Sequence, residues 1–384
     1  MIGKILFSMI AFVLFTYMFI FELIKKNDTT YLMIIISQAV GILLNFVQIL
    51  FDVLNGPFFK FIAWVLCIIL PTLILALELK GINFSEILSI GISKIYIILG
   101  NRKKAKDILI NFITKYDNSY NGHKLLAEIY QEEGGMRKAI DEYVKVLDIK
   151  NNDYKSYFKI SKLLNDLEKK DEAIEMLKIL LKKKPELYEA SIMLGELLIE
   201  KEKFKEATNI YIQAIKYNPE NADLYYNLGI AYARMNEFLL AKNNFLKTVE
   251  IDNNAYNAFY RLGQISLLYR DINEAEQFFI QSMYGETEIK SFYQLAKIYM
   301  IKNDKAKAIM FLNKATEISE DFYEQAIEEP IFFPINDKII KPESGTKYIE
   351  SEKEKTISEY LDNTYLLTKV LDEKEKSPKR KFNI

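Results

Sequence analysis

Few residues in this sequence are of the types that carry out catalysis. The 384 residues include one histidine, His123, and one cysteine, Cys67. These counts exclude a multi-histidine metal site, a cysteine-cluster metal site and a disulfide framework within a single chain. Glu128, Glu132 and Glu196 could act as general bases, but no nucleophile or cofactor-binding motif accompanies them. We therefore predict that the protein is not an enzyme and that it binds no cofactor or metal.

A second set of residues has the chemistry of a protein-binding surface. Large apolar side chains recur at intervals of 34 or 33 residues, and three charged residues follow them by four or eight positions. The set is Phe158, Ile192, Tyr226, Tyr260 and Tyr293, with Glu196, Arg234 and Lys297. Aromatic residues and arginine are frequent anchors of protein interfaces. We predict that the set forms a surface that binds a protein or peptide. The alternative is that the tyrosines only pack against their neighbours.

The elements that position this set are copies of one 34-residue unit. Leu228, Gly229, Tyr232, Ala241 and Phe245 have counterparts one period earlier and later. The counterparts of the glycine in the seven copies are Ser93, Ala127, Ser161, Gly195, Gly229, Gly263 and Ala296. The apolar spacing predicts two amphipathic helices per copy. Because one such pair cannot bury its own apolar face, the copies must stack into a solenoid.

In this pattern the sequence resembles the tetratricopeptide repeat family over about 235 residues, from Glu86 to Glu320. His123 and Ser191 stand where the family favours tryptophan, and the first copy is degenerate. The resemblance implies an all-α fold, a right-handed α-solenoid of about seven helix-turn-helix repeats whose concave groove binds peptides or partner helices. It implies no reaction, because a fold does not by itself supply a ligand or a chemistry.

Three runs without a charged residue precede the repeats, at residues 5–21, 29–51 and 61–77. Runs of 17 to 23 residues reach or exceed the lower limit for a helix that crosses a bilayer. A cleaved signal peptide is disfavoured, because the first run is long and is followed by "ELIKK" rather than small residues. We predict three transmembrane helices. The alternative is that the runs are buried core helices of a soluble domain.

Basic residues divide unequally between the two sides that three spans would create. One side receives Lys4 and Lys60. The other receives Lys25, Lys26, Lys80, Lys94, Arg102, Lys103 and Lys104. The positive-inside rule assigns the richer side to the cytosol. We predict a multi-pass protein of the cell membrane, with the N-terminus outside and the repeats in the cytoplasm.

The predicted organisation has four parts. They are a membrane domain at residues 1–82, the solenoid at 83–320, a capping helix and proline-containing linker at 321–346, and a C-terminal helix with a basic tail at 347–384. The linker contains the adjacent residues Phe332 and Phe333. We expect this segment to dock on the solenoid, because two neighbouring phenylalanines are poorly placed in water.

These observations predict a membrane-anchored scaffold that binds a protein or peptide in its cytosolic groove. The alternative is an accessory or regulatory subunit of an integral-membrane enzyme, transporter or secretion complex, bound through its transmembrane helices. The predicted partners are a protein or peptide and the lipid bilayer, with self-association through the transmembrane or C-terminal helices as a further option. A net charge of −1 argues against nucleic acid as a partner.

Overall fold

The computed structural model describes residues 2–25, 31–51, 57–81, 83–285 and 288–342, and these residues contain helices and no strand. They divide into two compact units, Met1–Glu168 and Lys169–Ile384. The prediction of an all-α fold is confirmed. The C-terminal helix predicted at residues 347–384 lies outside the described residues.

The first unit begins with the helices that carry the apolar runs. They are α1 (Ile2–Tyr17), a π-helical segment (Met18–Lys25), α2 (Leu32–Phe51), α3 (Pro57–Trp64), a second π-helical segment (Val65–Ile69) and α4 (Leu70–Leu79). The second π-helical segment ends just before Pro71. Proline lacks an amide hydrogen and its ring disturbs the preceding turn, which accounts for the irregular hydrogen bonding there.

Small residues and Phe7 form the interior of these helices around Cys67. Ala11, Ala63 and Cys67 are buried, and a Cβ atom added to Gly41 would lie 2.4 Å from the Cys67 sulfur. Large apolar side chains face outwards instead, and they include Leu6, Met9, Phe12, Val13, Phe58, Phe61, Trp64 and Leu73.

One helix, Lys60–Leu79, is long and apolar enough to cross a membrane by length and composition. Among the described residues the other two apolar helices are shorter, at Leu6–Phe21 and Ile34–Leu43. The prediction of three transmembrane helices and a multi-pass anchor is therefore not supported, and one candidate span remains.

Helices of similar length alternate through the rest of the chain. In the first unit they are α5 (Phe84–Ile98), α6 (Arg102–Lys115), α7 (Tyr120–Glu132), α8 (Met136–Ile149) and α9 (Tyr154–Asp166). In the second unit they are α10 (Lys170–Lys183), α11 (Tyr188–Glu200), α12 (Phe204–Tyr217), α13 (Ala222–Arg234), α14 (Phe238–Ile251), α15 (Tyr256–Leu268), α16 (Ile272–Ser282), α17 (Glu288–Ile301) and α18 (Lys305–Ile318). Within each unit consecutive helices pack together, and α5 also contacts α7 as α11 contacts α13.

The first repeat packs directly against the N-terminal helices of its unit. The Phe84 ring lies 6.0 Å from the ring of Tyr31, which is buried beside Ile74. The Tyr31 hydroxyl donates a hydrogen bond to Glu78 near the end of α4. The connection between α4 and α5 is therefore reinforced by side-chain packing.

The turn inside each copy has one residue with a positive φ angle. These residues are Gly100, Gly134, Glu168, Glu202, Asn236, Arg270 and Asn303, with φ between 58° and 76°. Their spacing is 34 residues, and the last copy is one residue short. The backbone thus repeats with the period of the sequence, although glycine marks the position in only two copies.

We expect Glu202→Gly to stabilise the protein by about 0.5–1 kcal/mol, since glycine removes the left-handed penalty at some entropic cost. Glu202 has a φ of 58° and lies exposed between α11 and α12. Chemical denaturation of the full chain in detergent would measure the change. Glu206→Gly, four residues later and exposed inside α12, should instead destabilise by about 1 kcal/mol. Equal effects of the two substitutions would contradict this explanation.

The second unit ends with α19 (Glu320–Glu328) and a 3₁₀ helix at Pro330–Lys338. Ala326, Phe332 and Ile335 are buried, so the segment after the repeats docks on the unit. Phe333 is 56% exposed, although the sequence led us to expect that both phenylalanines would be covered. Because the two side chains leave the backbone in different directions, only Phe332 reaches the core.

Candidate functional site

We use the term groove face for three positions on the first helix of each copy. They lie three residues before the small residue, one residue after it and five residues after it. The eight predicted binding residues occupy these positions on α9, α11, α13, α15 and α17. The structure gives these residues two different environments within the second unit.

The groove face of α11 and α13 is partly open to solvent. Ile192 and Glu196 on α11, and Tyr226 and Arg234 on α13, are all half-buried. The Tyr226 ring packs 5.6 Å from Phe245 of α14, which holds the aromatic side chain at the surface of its helix pair. Since α11 and α13 are neighbours, this surface combines two large apolar groups with one negative and one positive charge.

Glu196 also acts on the interior of its own helix pair. Burial, and then the negative charge of Glu196, raise the pKa of the Tyr211 phenol well above its ordinary value. The phenol therefore stays neutral and donates a hydrogen bond to the Ile192 carbonyl oxygen at 3.4 Å. This contact supports the backbone of α11 beneath the two half-buried side chains.

The groove face of α15 and α17 is closed. Tyr260 is 1% exposed, Tyr293 2% and Lys297 4%. We had expected these three side chains to face a partner, so this expectation of exposure is wrong. Tyr260 packs edge-on against Phe279 at 5.5 Å, and Tyr293 and Lys297 are covered by the segment that follows α19.

The cover on α17 combines an ion pair with aromatic contacts. Glu329 accepts a hydrogen bond from the Tyr293 hydroxyl at 2.6 Å and pairs with the Lys297 ammonium at 2.7 Å. Phe332 and Phe322 pack against the Tyr293 ring at centroid distances of 5.5 and 5.2 Å. Burial, followed by the charge and hydrogen bond of Glu329, raises the pKa of the Tyr293 phenol. Tyr293 therefore acts as a neutral hydrogen-bond donor.

The first unit has a separate cavity of about 770 Å³ on the groove side of α5 and α7. Its lining includes Ile87, Ile90, Lys94, Asn121, Lys124 and Glu128. The predicted binding residue Phe158, on α9, is half-buried with the Lys162 ammonium 5.0 Å from its ring. The predicted binding residues leave this lining out, although Ile90, Lys94, Lys124 and Glu128 lie at groove-face positions of the 34-residue period.

His123 has a structural environment. Its ring is buried, with Nδ1 2.5 Å from the Glu142 carboxylate and Nε2 2.8 Å from the Asp117 carbonyl oxygen. Lys145 pairs with the other oxygen of Glu142 at 2.9 Å. These contacts join α7 to α8 and to the loop before α7. No group of three or more histidine, cysteine, aspartate or glutamate residues in the described ranges is arranged to hold a metal ion.

Asp153 links two copies of the first unit through charge. Its carboxylate accepts hydrogen bonds from Lys124 at 3.0 Å, Tyr120 at 2.9 Å and Ser156 at 2.9 Å. Burial acts to raise the pKa of Asp153, but these hydrogen bonds and the Lys124 charge together hold it below 3.8. The ionised carboxylate therefore contributes its full stabilisation at every pH above the pKa that Asp153 has in the unfolded chain.

We expect Asp153→Asn to lower the free energy of unfolding at pH 7 by about 1–2 kcal/mol. Because the folded pKa is depressed, this contribution should disappear as the pH falls through the folded value, below 3.8. Denaturation of both proteins between pH 3 and pH 7 would measure the difference. Asp141→Asn, on the exposed side of α8, should change stability by less than about 0.5 kcal/mol at pH 7. A difference at Asp153 that grows towards low pH would contradict this argument.

Comparison with known families agrees with the helix pairs. The family described as "TPR repeat" matches residues 195–236, and the family described as "Tetratricopeptide repeat" matches residues 222–254 and 289–322. The chain therefore contains tetratricopeptide repeats, a fold that typically serves as a non-enzymatic scaffold for protein interactions. No curated protein is significantly similar in sequence.

Solved structures resemble part of the chain. The C-terminal part of a TPR repeat-containing protein from Cytophaga hutchinsonii is 17% identical, with 59% of this chain and 93% of that chain covered and a TM-score of 0.51. MamA is 26% identical over 41% of this chain and 93% of its own, with a TM-score of 0.39. YrrB, described as a TPR protein with an unusual peptide-binding site, is 18% identical over 53% and 96%, with a TM-score of 0.39. The similarity to the Cytophaga hutchinsonii protein shows the fold alone.

Proposed function

We propose that this protein is a scaffold that binds a protein partner on the groove face of α11 and α13. The observation that carries the proposal is the contrast within the second unit. Ile192 and Tyr226 remain half-exposed, whereas Tyr260 and Tyr293, at the same position of the repeat, are buried. Half-exposed aromatic and aliphatic side chains between opposite charges suit a peptide that has a large apolar anchor with polar flanks.

A partner capture experiment tests this surface. Full-length protein would be isolated from its native membranes in mild detergent, alongside a Tyr226→Ala/Arg234→Ala variant. The matched control is Leu239→Ala, because Leu239 is exposed on the second helix of the same pair. We expect the control to retain a partner that the double variant loses, with both variants melting cooperatively. A partner that the double variant retains would contradict the proposal.

We further propose that the N-terminal helices attach the repeats to the cell membrane, with the N-terminus outside and the repeats in the cytoplasm. The outward-facing apolar side chains support the attachment, and the orientation rests on the asymmetry of basic residues that three spans at residues 5–21, 29–51 and 61–77 would create. Cysteines at Gly3 and Leu239, introduced separately into Cys67→Ala protein, would be labelled with a membrane-impermeant maleimide. We expect labelling of intact cells only at Gly3. Extraction of the protein by alkaline carbonate would contradict membrane insertion.

The alternative function is an accessory subunit that binds an integral-membrane enzyme, transporter or secretion complex through the N-terminal helices. Both functions are compatible with the outward-facing apolar side chains of the N-terminal helices. They differ in which substitutions would release the partner. An accessory subunit would lose its partner on replacement of Asn45 or Gln48, which the sequence assigns to α2, and would retain it in the Tyr226→Ala/Arg234→Ala variant.

A further inference from the structure

The closed end of the groove face contains a short linear segment of the same chain. This segment begins at Glu329 and continues through the 3₁₀ helix Pro330–Lys338. It has prolines at positions 330 and 334 and does not continue the helix pairs. Phe332 is fully buried against Tyr293, and Ile335 is buried in the same cluster. A short 3₁₀ segment that contains two prolines and is anchored by one aromatic side chain resembles a bound ligand more than a repeat helix.

The ion pair between Lys297 and Glu329 indicates that the segment does more than cover the apolar surface of α17. The side chains of Lys297 and Glu329 are 5% and 15% exposed. Burying an ion pair rarely improves on an apolar contact of the same size, so apolar residues would cover α17 at least as well. Lys162, one residue after the small residue in its own copy as Lys297 is, lies exposed. Ile230 and Gln264 at the same position are buried too, and what distinguishes Lys297 is its charge pair with Glu329 of the segment.

The segment is held at both ends. Glu329 contacts Tyr293 and Lys297 on α17, as described above. At the other end the Asn313 side chain of α18 donates to the Lys338 carbonyl oxygen at 3.2 Å and accepts from the Ile340 amide at 3.0 Å. An asparagine that pairs with a backbone carbonyl and a backbone amide grips a peptide independently of its side chains. The two ends define a site of about twelve residues.

We propose that the groove face of α17 is a binding site for a peptide with a glutamate and, three residues later, a phenylalanine, and that the Glu329–Phe332 segment of the chain occupies it in competition with such a partner. The proposal rests on the scaffold function and assigns a second ligand class to the same groove face. Lys297 and the Tyr293 hydroxyl recognise the glutamate, the Tyr293 ring receives the phenylalanine, and Asn313 holds the backbone.

Tethering explains why such a site would be closed in the free protein. A segment joined by a short connection has an effective concentration in the millimolar range. A free peptide of equal intrinsic affinity therefore binds poorly until the tethered copy is weakened. If the tethered copy fills the site 99% of the time, the apparent affinity of a competitor falls about 100-fold.

The test uses a fluorescent peptide with the chain's own sequence, IEEPIFFPINDKII, from residues 327–340. Its binding would be measured by fluorescence anisotropy to the full-length protein in detergent and to a Glu329→Gln/Phe332→Ala variant. We expect the variant to bind at least about tenfold more tightly than the parent. The same peptide with its second glutamate and first phenylalanine replaced by glutamine and alanine should not bind.

Phe333→Ala is the matched protein control, because Phe333 is exposed beside the buried Phe332. It should bind the peptide as weakly as the parent. Thermal melting follows the fold of each variant, and Glu329→Gln alone replaces the double variant if the latter melts at a much lower temperature. A folded variant that binds no peptide, or a parent that binds equally well, would overturn the proposal. Partner capture through Tyr226 and Arg234 would be unaffected by that result, which separates the two proposals.

Discussion

Lys297→Met is expected to release the Pro330–Lys338 segment from the second unit. Removing one partner of a buried ion pair leaves the other charge uncompensated, at a cost of about 3–5 kcal/mol. Here that cost is limited by the docking free energy, because Glu329 regains water once the segment detaches. The affected quantity is therefore the free energy of local opening, and global unfolding should change less.

The amide of Ile340 reports this opening, since it donates to Asn313 only while the segment is docked. Hydrogen exchange measured by mass spectrometry on the peptide around Ile340 should accelerate by about two to three orders of magnitude in Lys297→Met. Exchange in α13 should stay unchanged. An acceleration that spreads evenly over the second unit would instead assign Lys297 to global stability.

Two further variants separate the charge from the loss of side-chain packing. Lys178→Met removes a lysine from an exposed pair with Glu175 at 3.0 Å and should change stability by less than about 0.5 kcal/mol. Lys297→Met combined with Glu329→Gln leaves no unpaired charge, so part of the protection should return. If the Ile340 amide of the double variant exchanged as fast as the added effects of Lys297→Met and Glu329→Gln predict, the ion pair would not be what protects this amide.

The repeats could be predicted from sequence because each copy repeats the same local physics. Gly195, Gly229 and Gly263 face Tyr211, Phe245 and Phe279, so a small residue and an aromatic residue sixteen positions later mark every such contact. This information is local and recurs, and one copy corrects the ambiguities of another. The turns follow the same register even where glutamate or arginine replaces glycine, as at Glu202 and Arg270.

The state of the groove face could not be predicted in the same way. The period assigns Tyr226, Tyr260 and Tyr293 to one position, yet the last two are buried and the first is half-exposed. The difference comes in part from Glu329 and Phe332, which lie outside the repeats and reach Tyr293 through a non-repeating segment. The repeat pattern cannot predict a single long-range contact made by residues outside the repeats.

The N-terminal helices illustrate a different limit of the sequence. An uncharged run gives the length of an apolar stretch but does not say how much of it forms one regular helix. Around Cys67 one phenylalanine, Phe7, faces inwards, whereas Phe12 and Phe61 face outwards. The sequence does not show which of these apolar residues face inwards, because that depends on which helices become neighbours.

Gly195→Ala is expected to destabilise the second unit by about 3 kcal/mol, near the upper end for overpacking of a core. An added Cβ atom would lie 2.1 Å from Cζ and 2.3 Å from Oη of Tyr211. The Tyr211 side chain is fully buried and cannot swing into solvent. Relief would require α11 and α12 to move apart, which would open their packing against α10 and α13. Chemical denaturation of the full chain would measure the loss.

Two substitutions test whether the loss comes from this contact. Gly91→Ala, also inside a first helix, has no atom within 4 Å of the added Cβ and should be neutral or stabilise by up to about 1 kcal/mol. The last copy already combines Ala296 with Leu312, both fully buried. Gly195→Ala/Tyr211→Leu would recreate that combination, so it should lose less stability than the two single changes added together. Strictly additive effects would mean that α11 needs glycine at position 195 for its backbone conformation. The close approach of α11 and α12 would then not be the reason for the glycine.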